Sequence, residues 1–298
     1  MKKQAYYLAA ISAFIIWGFI PLPLRALSEY SSLQILFFRL VIALFLLLLI
    51  NFVFRKEALR SSLDLFQRST RAEKQKALFY CSLGGALLAV NWLAYIYVLN
   101  HISIQTASYS YLICPIMTAI LGFLILKEPL KVNQWVAIGL SILSCYLIGV
   151  ESWINLCYSL LVGSTYAFYL ITQRLMKQYD KMVLLNWQLL VSFILIGPLY
   201  FYLEGGFPPK EDFYAYIVVL SVVFTIVPLF LNLYALNELK SGTIGILMYI
   251  NPLINFAVAF LYYQEEAALH QVISYVLIGI SLVIYNFNFQ VFRQKQLS

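Results

Sequence analysis

Residues 32–54 read SLQILFFRLVIALFLLLLINFVF, an apolar run with a single charge, Arg39. A helix needs ~20 mostly apolar residues to cross the hydrocarbon core of a bilayer, so this run predicts a transmembrane helix. Nine runs of similar character accompany it, at about 6–27, 76–99, 103–126, 132–150, 152–174, 182–203, 213–237, 242–262 and 269–292. They take up nearly all of the 298 residues and leave almost nothing for a soluble domain. The composition agrees: 62% of residues are hydrophobic and 11% charged, against roughly 25% charged in an ordinary soluble domain. The expected fold is an all-α membrane protein of ten transmembrane helices.

The net charge of +7 suggests nucleic acid only until the basic residues are placed, because they sit between the apolar runs. A nucleic-acid module, a secreted disulfide scaffold and a disordered tail are thereby excluded. With the N-terminus in the cytoplasm, 17 of the 20 Lys and Arg residues fall on the inner side, among them Arg55, Lys56, Arg71, Lys127, Arg174, Lys177 and Lys240. The outer side keeps Arg25 and Lys210, and Arg39 is inside a helix. This asymmetry obeys the positive-inside rule and predicts a multi-pass membrane protein with both termini cytoplasmic. The first run is too long for a signal-peptide core and lacks a small-residue cleavage site after it, so it is expected to be retained. The long basic connection 55–75 has two readings: a solvated loop that fixes orientation, or a short amphipathic helix on the inner leaflet with Leu59, Leu63 and Phe66 on one face.

Ten helices divide into two fives, and because five is odd the second half enters the membrane upside down. Sliding the chain by 137 residues places Tyr97 on Tyr234, Asn100 on Asn237, Thr106 on Thr243, Pro115 on Pro252, Glu128 on Glu265 and Gln134 on Gln271. Coincidences at Asn, Pro, Glu and Gln are rarer than at Leu or Ile. The first helices align less well, with Ser12 and Trp17 facing Ser164 and Tyr169 at a shift of 152. Two inverted repeats are therefore expected, 1–151 (with the basic loop 55–75) and 152–298. Such duplication suits two near-equivalent arrangements, one open to each side of the membrane.

Several motifs now resemble a known family. The run Asn91-Trp92-Leu93-Ala94-Tyr95-Ile96-Tyr97-Val98-Leu99-Asn100, the Pro115 helix ending in Lys127-Glu128, Gln134-Trp135, Trp17-Gly18, Val227-Pro228 and Tyr249-Ile250-Asn251-Pro252 resemble the RarD-type branch of EamA-domain proteins in the drug/metabolite transporter superfamily. The likeness covers essentially the whole chain. It implies a ten-helix inner-membrane carrier, with a cavity lined by helices 1, 3, 4, 6, 8 and 9 and a family label connected with chloramphenicol sensitivity. It fixes no substrate. One departure is Lys127, where the family usually has Gly before the glutamate.

An ionisable group within hydrocarbon is costly unless paired or hydrated, so each is a functional candidate. Arg39 is such a group, about eight residues into helix 2. If it faces a cavity it holds a carboxylate or other anion; the alternative is packing between helices with donation to backbone carbonyls. All 13 carboxylates, and His101 and His270, fall in loops or at helix ends. A facilitator or exchanger is accordingly expected over a carboxylate-gated proton antiporter. The other candidate solute contacts are Trp17, Asn91, Trp92, Tyr95, Tyr111, Tyr166, Tyr169, Asn232, Tyr249 and Asn251, with Met248 and Asn255 in the same polar stripe. Amides and phenols at depth hydrogen-bond a polar solute, or equally tie helices together. Pro115 and Pro252 each remove a backbone donor and are candidate hinges.

No HExxH or GxSxG occurs, Gly205-Gly206 is too short for a phosphate loop, and Cys81, Cys114, Cys145 and Cys157 have no metal or redox spacing. No enzymatic activity, cofactor or metal is expected. The expected partners are a small-molecule solute (a metabolite, amino acid or drug) and the lipid bilayer, not nucleic acid, with the oligomeric state left open. The expected function is a carrier, exporter or facilitator, working by alternating access through a central cavity. The alternative is a membrane receptor or accessory protein without transport.

Overall fold

A computed structural model of the chain describes residues 2–149, 153–264 and 269–286. Glu151, Glu265 and Glu266, with Arg293, Lys295 and the C-terminal end whose side was expected above, lie outside the described residues. Among those described every regular element is helical. Eight stretches are long and apolar enough to cross a membrane: 4–26, 32–54, 71–101, 104–126, 153–175, 181–203, 211–236 and 241–261. Where the sequence suggested ten full crossings, the remaining two apolar stretches, Val132–Leu147 and Val272–Tyr285, are shorter.

Helix 1 is broken. α1 (Lys2–Gly18) ends one residue after Trp17, and α2 (Pro21–Ala26) continues at an offset. Pro21 has no N–H to give the Trp17 carbonyl, so Ile20 N takes that acceptor at 3.1 Å and the turn tightens. α3 (Ser32–Leu49) starts on the Ser31 cap and runs into a π-helical turn, Ile50–Phe54. Of the two readings of the connection 55–75, the structure has the helix, α4 (Lys56–Arg68). Its Leu63 and Phe66 cover an apolar pocket with Ala77, Met176 and Leu184. α5 (Arg71–His101) begins five residues earlier than the apolar run because Thr70 and Glu73 form a reciprocal cap, Thr70 N donating to Glu73 Oε2 at 2.8 Å.

α6 (Ile104–Leu126) runs through Pro115 without interruption. It is followed by α7 (Val132–Gly149), α8 (Trp153–Leu175) and α9 (Lys181–Leu203), the last capped by Asp180, which also pairs with Arg55 at 2.9 Å. The next crossing is composite: α10 (Glu211–Ser221), a π-helical turn at Val222–Ile226, and α11 (Val227–Leu236). So is the stretch 241–261, where α12 (Ser241–Leu247) and α13 (Ile250–Leu261) meet at Met248-Tyr249, three residues before Pro252. Met248 O receives Asn251 N at 3.0 Å in place of the donor Pro252 lacks. α14 (Leu269–Asn286) closes the described chain.

Small residues let the helices approach closely. A Cβ on Gly163 would stand 2.7 Å from Ser110 O, where α8 crosses α6, and one on Gly85 2.6 Å from Gln188 O, where α5 crosses α9. α6 packs on α8, α12 and α13; α5 on α8 and α9; α1 on α11 and α13; α3 on α9 and α10. α7 and α14 pair with each other at the edge. The continuous apolar core runs through all but that edge pair and α4, whose Phe66 joins a separate small cluster with Ala77, Met176 and Leu184.

Candidate functional site

Both broken helices come apart beside one central cavity. Its lining is Trp17 and Ile20 from the helix 1 break, Arg39, Trp92 and Tyr95, Tyr111, Tyr166, and Met248 and Asn251 from the helix 9 break. Seven of the eleven sequence candidates thus converge on one point, along with Ile20 and Met248. The space enclosed is about 20 Å³, room for about one water. Among the described residues the centre has no open crevice, and the polar side chains close on each other.

Arg39 is buried to 2% exposure. Its Nε donates to Thr225 Oγ1 at 2.6 Å, its Nη2 reaches Phe224 O at 3.5 Å, and its guanidinium lies 4.3 Å from the centre of the Trp92 ring. Arg39 thus lines the cavity and at the same time donates to a backbone carbonyl. The carbonyl is available for a local reason. In an α-helix Phe224 O would accept the N–H of residue 228, and Pro228 has none. Trp17 Nε1 takes the same oxygen at 3.0 Å. Inside the π-helical turn, Thr225 Oγ1 in turn donates to Leu220 O at 2.8 Å. Thr225 and Phe224 went unnoticed in the sequence, although a proline four residues after a carbonyl is a readable sign that the carbonyl is free.

Around the cavity the aromatic rings form a chain of edge contacts. Trp17 meets Tyr166 at 6.0 Å between centroids, Tyr166 meets Tyr111 at 6.1 Å, and Tyr111 meets Tyr95 at 5.0 Å. Amides hold them from behind. Asn232 Nδ2 donates to the Tyr166 hydroxyl at 3.1 Å and Asn255 Nδ2 to the Tyr95 hydroxyl at 3.3 Å. The Tyr111 hydroxyl donates to Asn91 Oδ1 at 3.4 Å, while Asn91 Nδ2 grips Val162 O at 2.7 Å and Thr165 Oγ1 at 3.1 Å. Asn91 and Asn232 accordingly lie outside the cavity wall. Tyr169 is also behind it, fully buried with its ring 5.5 Å from that of Tyr166. Tyr249 points away, into the cluster with Leu112, Ile246 and Tyr275 beside the α7–α14 pair, because the break at Met248-Tyr249 turns it off the cavity face. Pro252 sits just past that break, whereas Pro115 leaves α6 continuous and presents its carbonyl to Gly245, where a Cβ would stand 3.1 Å away.

The two ends of the bundle differ. At the end carrying Lys127, Arg174 and Lys240, called here the basic end, Glu128 Oε1 accepts from Arg174 Nε at 3.3 Å and Ser241 Oγ at 3.2 Å, and Glu128 Oε2 from Ser241 N at 2.9 Å. Arg174 Nη1 also donates to Leu236 O. α6, α8, α11 and α12 are thereby tied together. Lys127 just before Glu128 takes the left-handed conformation (φ 56°) that a glycine adopts freely, so the helix end is made in the expected place at a backbone cost. At the opposite end a cleft of about 1070 Å³ opens between α2, α10 and α13, lined by Leu22, Arg25, Tyr216 and Ile254 and reaching Phe224. The tie there is the exposed pair Glu29–Lys210, 2.7 Å apart. The Lys210 ammonium holds the Glu29 carboxyl below its ordinary range, and Glu29 raises Lys210 in return. Among the described residues no carboxylate lies in the interior of a spanning stretch, and no cluster of His, Cys, Asp and Glu is arranged to hold a metal.

Comparison with known proteins fits this anatomy. A family model described as the EamA-like transporter family matches residues 4–150 and again 153–287. An uncharacterized transporter of Pseudomonas aeruginosa is 28% identical over 95% of this chain and 93% of its own length. An uncharacterized transporter YojE of Bacillus subtilis is 26% identical (96% and 94%), and Protein RarD of Escherichia coli 22% identical (93% and 92%). A solved crystal structure superposes with a TM-score of 0.71 at 12% identity, covering 95% of this chain and 96% of that one, a likeness of fold alone. With the family model covering almost its entire length, the chain belongs to the EamA-like transporter family and is a multi-pass bacterial membrane transporter.

Proposed function

We propose that the protein is an alternating-access carrier of small amphipathic solutes, built from two inverted five-helix repeats, 1–151 and 152–298, with ten crossings in all. The observation that carries this reading is the central cavity, which takes residues from both repeats and sits where a helix of each is broken. Discontinuous helices at mid-membrane are the usual site of solute binding in carriers made of inverted repeats.

Other features support the duplication. The non-glycine residues with left-handed backbone among those described are Lys127 (φ 56°) and Gln264 (φ 55°), separated by the same 137 positions as the side-chain coincidences, and each follows a helix that contains a proline, Lys127 directly and Gln264 three residues on. The packing also pairs off under exchange of the halves: α5 on α8 corresponds to α11 on α1, α5 on α9 to α10 on α3, and α6 on α8 to α13 on α1.

In this reading the basic end is cytoplasmic and latched by Glu128, Arg174 and Ser241, and the cleft at the other end is the way to the outside. The collapsed centre is the state between loads. Rocking of the halves widens it for a solute and then releases the latch. With no carboxylate in the interior of the described spanning stretches, a proton gradient has no acidic carrier at the site, and the protein works as a facilitator or exchanger. Flux in proteoliposomes over a metabolite and drug panel tests this. Transport is expected without a pH gradient and to fall by about tenfold or more in Tyr111→Ala, which removes a wall of the cavity. Transport that requires the gradient overturns the facilitator reading, and an unchanged rate in Tyr111→Ala removes the cavity from the path.

A further inference from the structure

The central cavity holds a cation, Arg39, that has no counter-ion among the described residues. We infer that it selects an organic anion, a carboxylate on a flat apolar body, with Arg39 as the carboxylate-binding residue. The inference rests on the carrier reading for the place of the site and adds the chemistry of the solute.

Three arginines make the comparison. Arg55 has Asp180 and Arg174 has Glu128. Arg39, the most buried of them, has a hydroxyl, a backbone carbonyl at 3.5 Å and the face of Trp92. Neutral acceptors and a ring solvate a guanidinium without cancelling its charge, and a charge so placed is expensive in a medium of low dielectric. A solute that brings a carboxylate removes that cost as it binds, and it enjoys the two-pronged geometry that suits guanidinium to carboxylate. An amine brings a second positive charge to a cavity wall that has no acid to receive it.

The rest of the lining sets the body of the ligand. Rings of Trp17, Tyr95, Tyr111 and Tyr166 present faces and edges to anything flat between them. Asn251 lies on the same wall, and its Oδ1 is buried with no donor among the described residues. An N–H or O–H on the solute would satisfy it, so an acid that carries such a donor on its body is expected to bind tighter than the plain acid.

The test uses the full-length protein in detergent and reads binding by thermal shift and tryptophan fluorescence. The probes are matched in shape: phenylacetate against phenylacetamide, indole-3-acetate against indole-3-acetamide, and phenethylamine as the cation. The acids are expected to bind at least about tenfold tighter than their amides, with no response to the amine. Arg39→Gln is expected to abolish that preference, while Arg39→Lys, which keeps the charge and loses the fork, retains part of it. Should Arg39→Gln fail to fold, the acid-to-amide ratio of the unaltered protein and the Lys variant still decide. Equal binding of acids and amides, preference for the amine, or no response to any acid overturns the inference. Carboxylate binding without flux in proteoliposomes would instead overturn the carrier reading. Flux of neutral solutes that ignores Arg39→Gln would leave the carrier and remove the anion.

Discussion

Arg174 and Arg39 are buried to different degrees and treated in opposite ways. At the basic end Arg174 keeps about a fifth of its side chain in contact with solvent and is given a carboxylate, Glu128, which also gathers Ser241. At the centre Arg39 keeps almost none and is given only neutral partners. Charge compensation is thus lavished where solvation is still partly available and withheld where it is most needed. A paired cation holds helices together, whereas an unpaired one waits for something from outside. The same residue type makes a fastening in one place and, in the anion-binding role proposed for Arg39, a receptor in the other.

The contrast breaks most visibly at the fastening. Glu128→Gln leaves Arg174 its carbonyl partner but no counter-charge, which should weaken closure of the basic end by about 1–2 kcal/mol, roughly tenfold in population. Spin labels at Lys127 and Lys177 would record it as a growing long-distance component, and an unaltered distance distribution would deny the cluster any part in closure.

Pro228→Ala sharpens the receptor side. The restored N–H is free to reclaim Phe224 O from Trp17 and Arg39, so helix 8 should gain about 1 kcal/mol while solute affinity falls several-fold. Midpoint of thermal unfolding and affinity, measured on one preparation, should move in opposite directions; parallel movement would show that Pro228 only serves the helix.

Lys127→Gly removes the left-handed strain and adds backbone freedom to the unfolded chain. A gain of at most about 1 kcal/mol is expected, with no change in flux. The smallest effect belongs to Glu29–Lys210. Because the carboxyl is held below its ordinary value of about 4.3, the pair contributes above that value and loses its contribution as pH falls through the lowered pKa. Being exposed, it should also fade in high salt, so a stability profile between pH 3 and 6 with and without 1 M salt should differ only slightly.

Much of this was legible in the sequence, and the failures have identifiable causes. Arg39 stood out because hydrocarbon tolerates no idle charge, and the cavity rings followed from polar spacing on helices 1, 3, 4 and 6. Tyr249 and Tyr169 were drawn in by the same spacing. One is turned aside by a helix break whose position no periodicity reveals, and the other lies one ring too deep. Asn91 and Asn232 proved to be braces for tyrosines, a distinction that needs the neighbouring helix to be seen. Within the connection 55–75, Lys56–Arg68 folded as a helix whose Leu63 and Phe66 rest on Ala77, Met176 and Leu184, while Leu59 takes no part in that contact. Thr225 escaped notice since a threonine in an apolar run ordinarily satisfies itself along its own helix, which it also does here.

The Phe224 oxygen serves both the Trp17 indole and the Arg39 guanidinium. A guest that draws the guanidinium away leaves that oxygen to the indole alone, and indole emission responds to the strength of its own N–H bond. Under the anion proposal the indole would then serve as a native optical gauge of occupancy, readable in stopped-flow light with no dye attached.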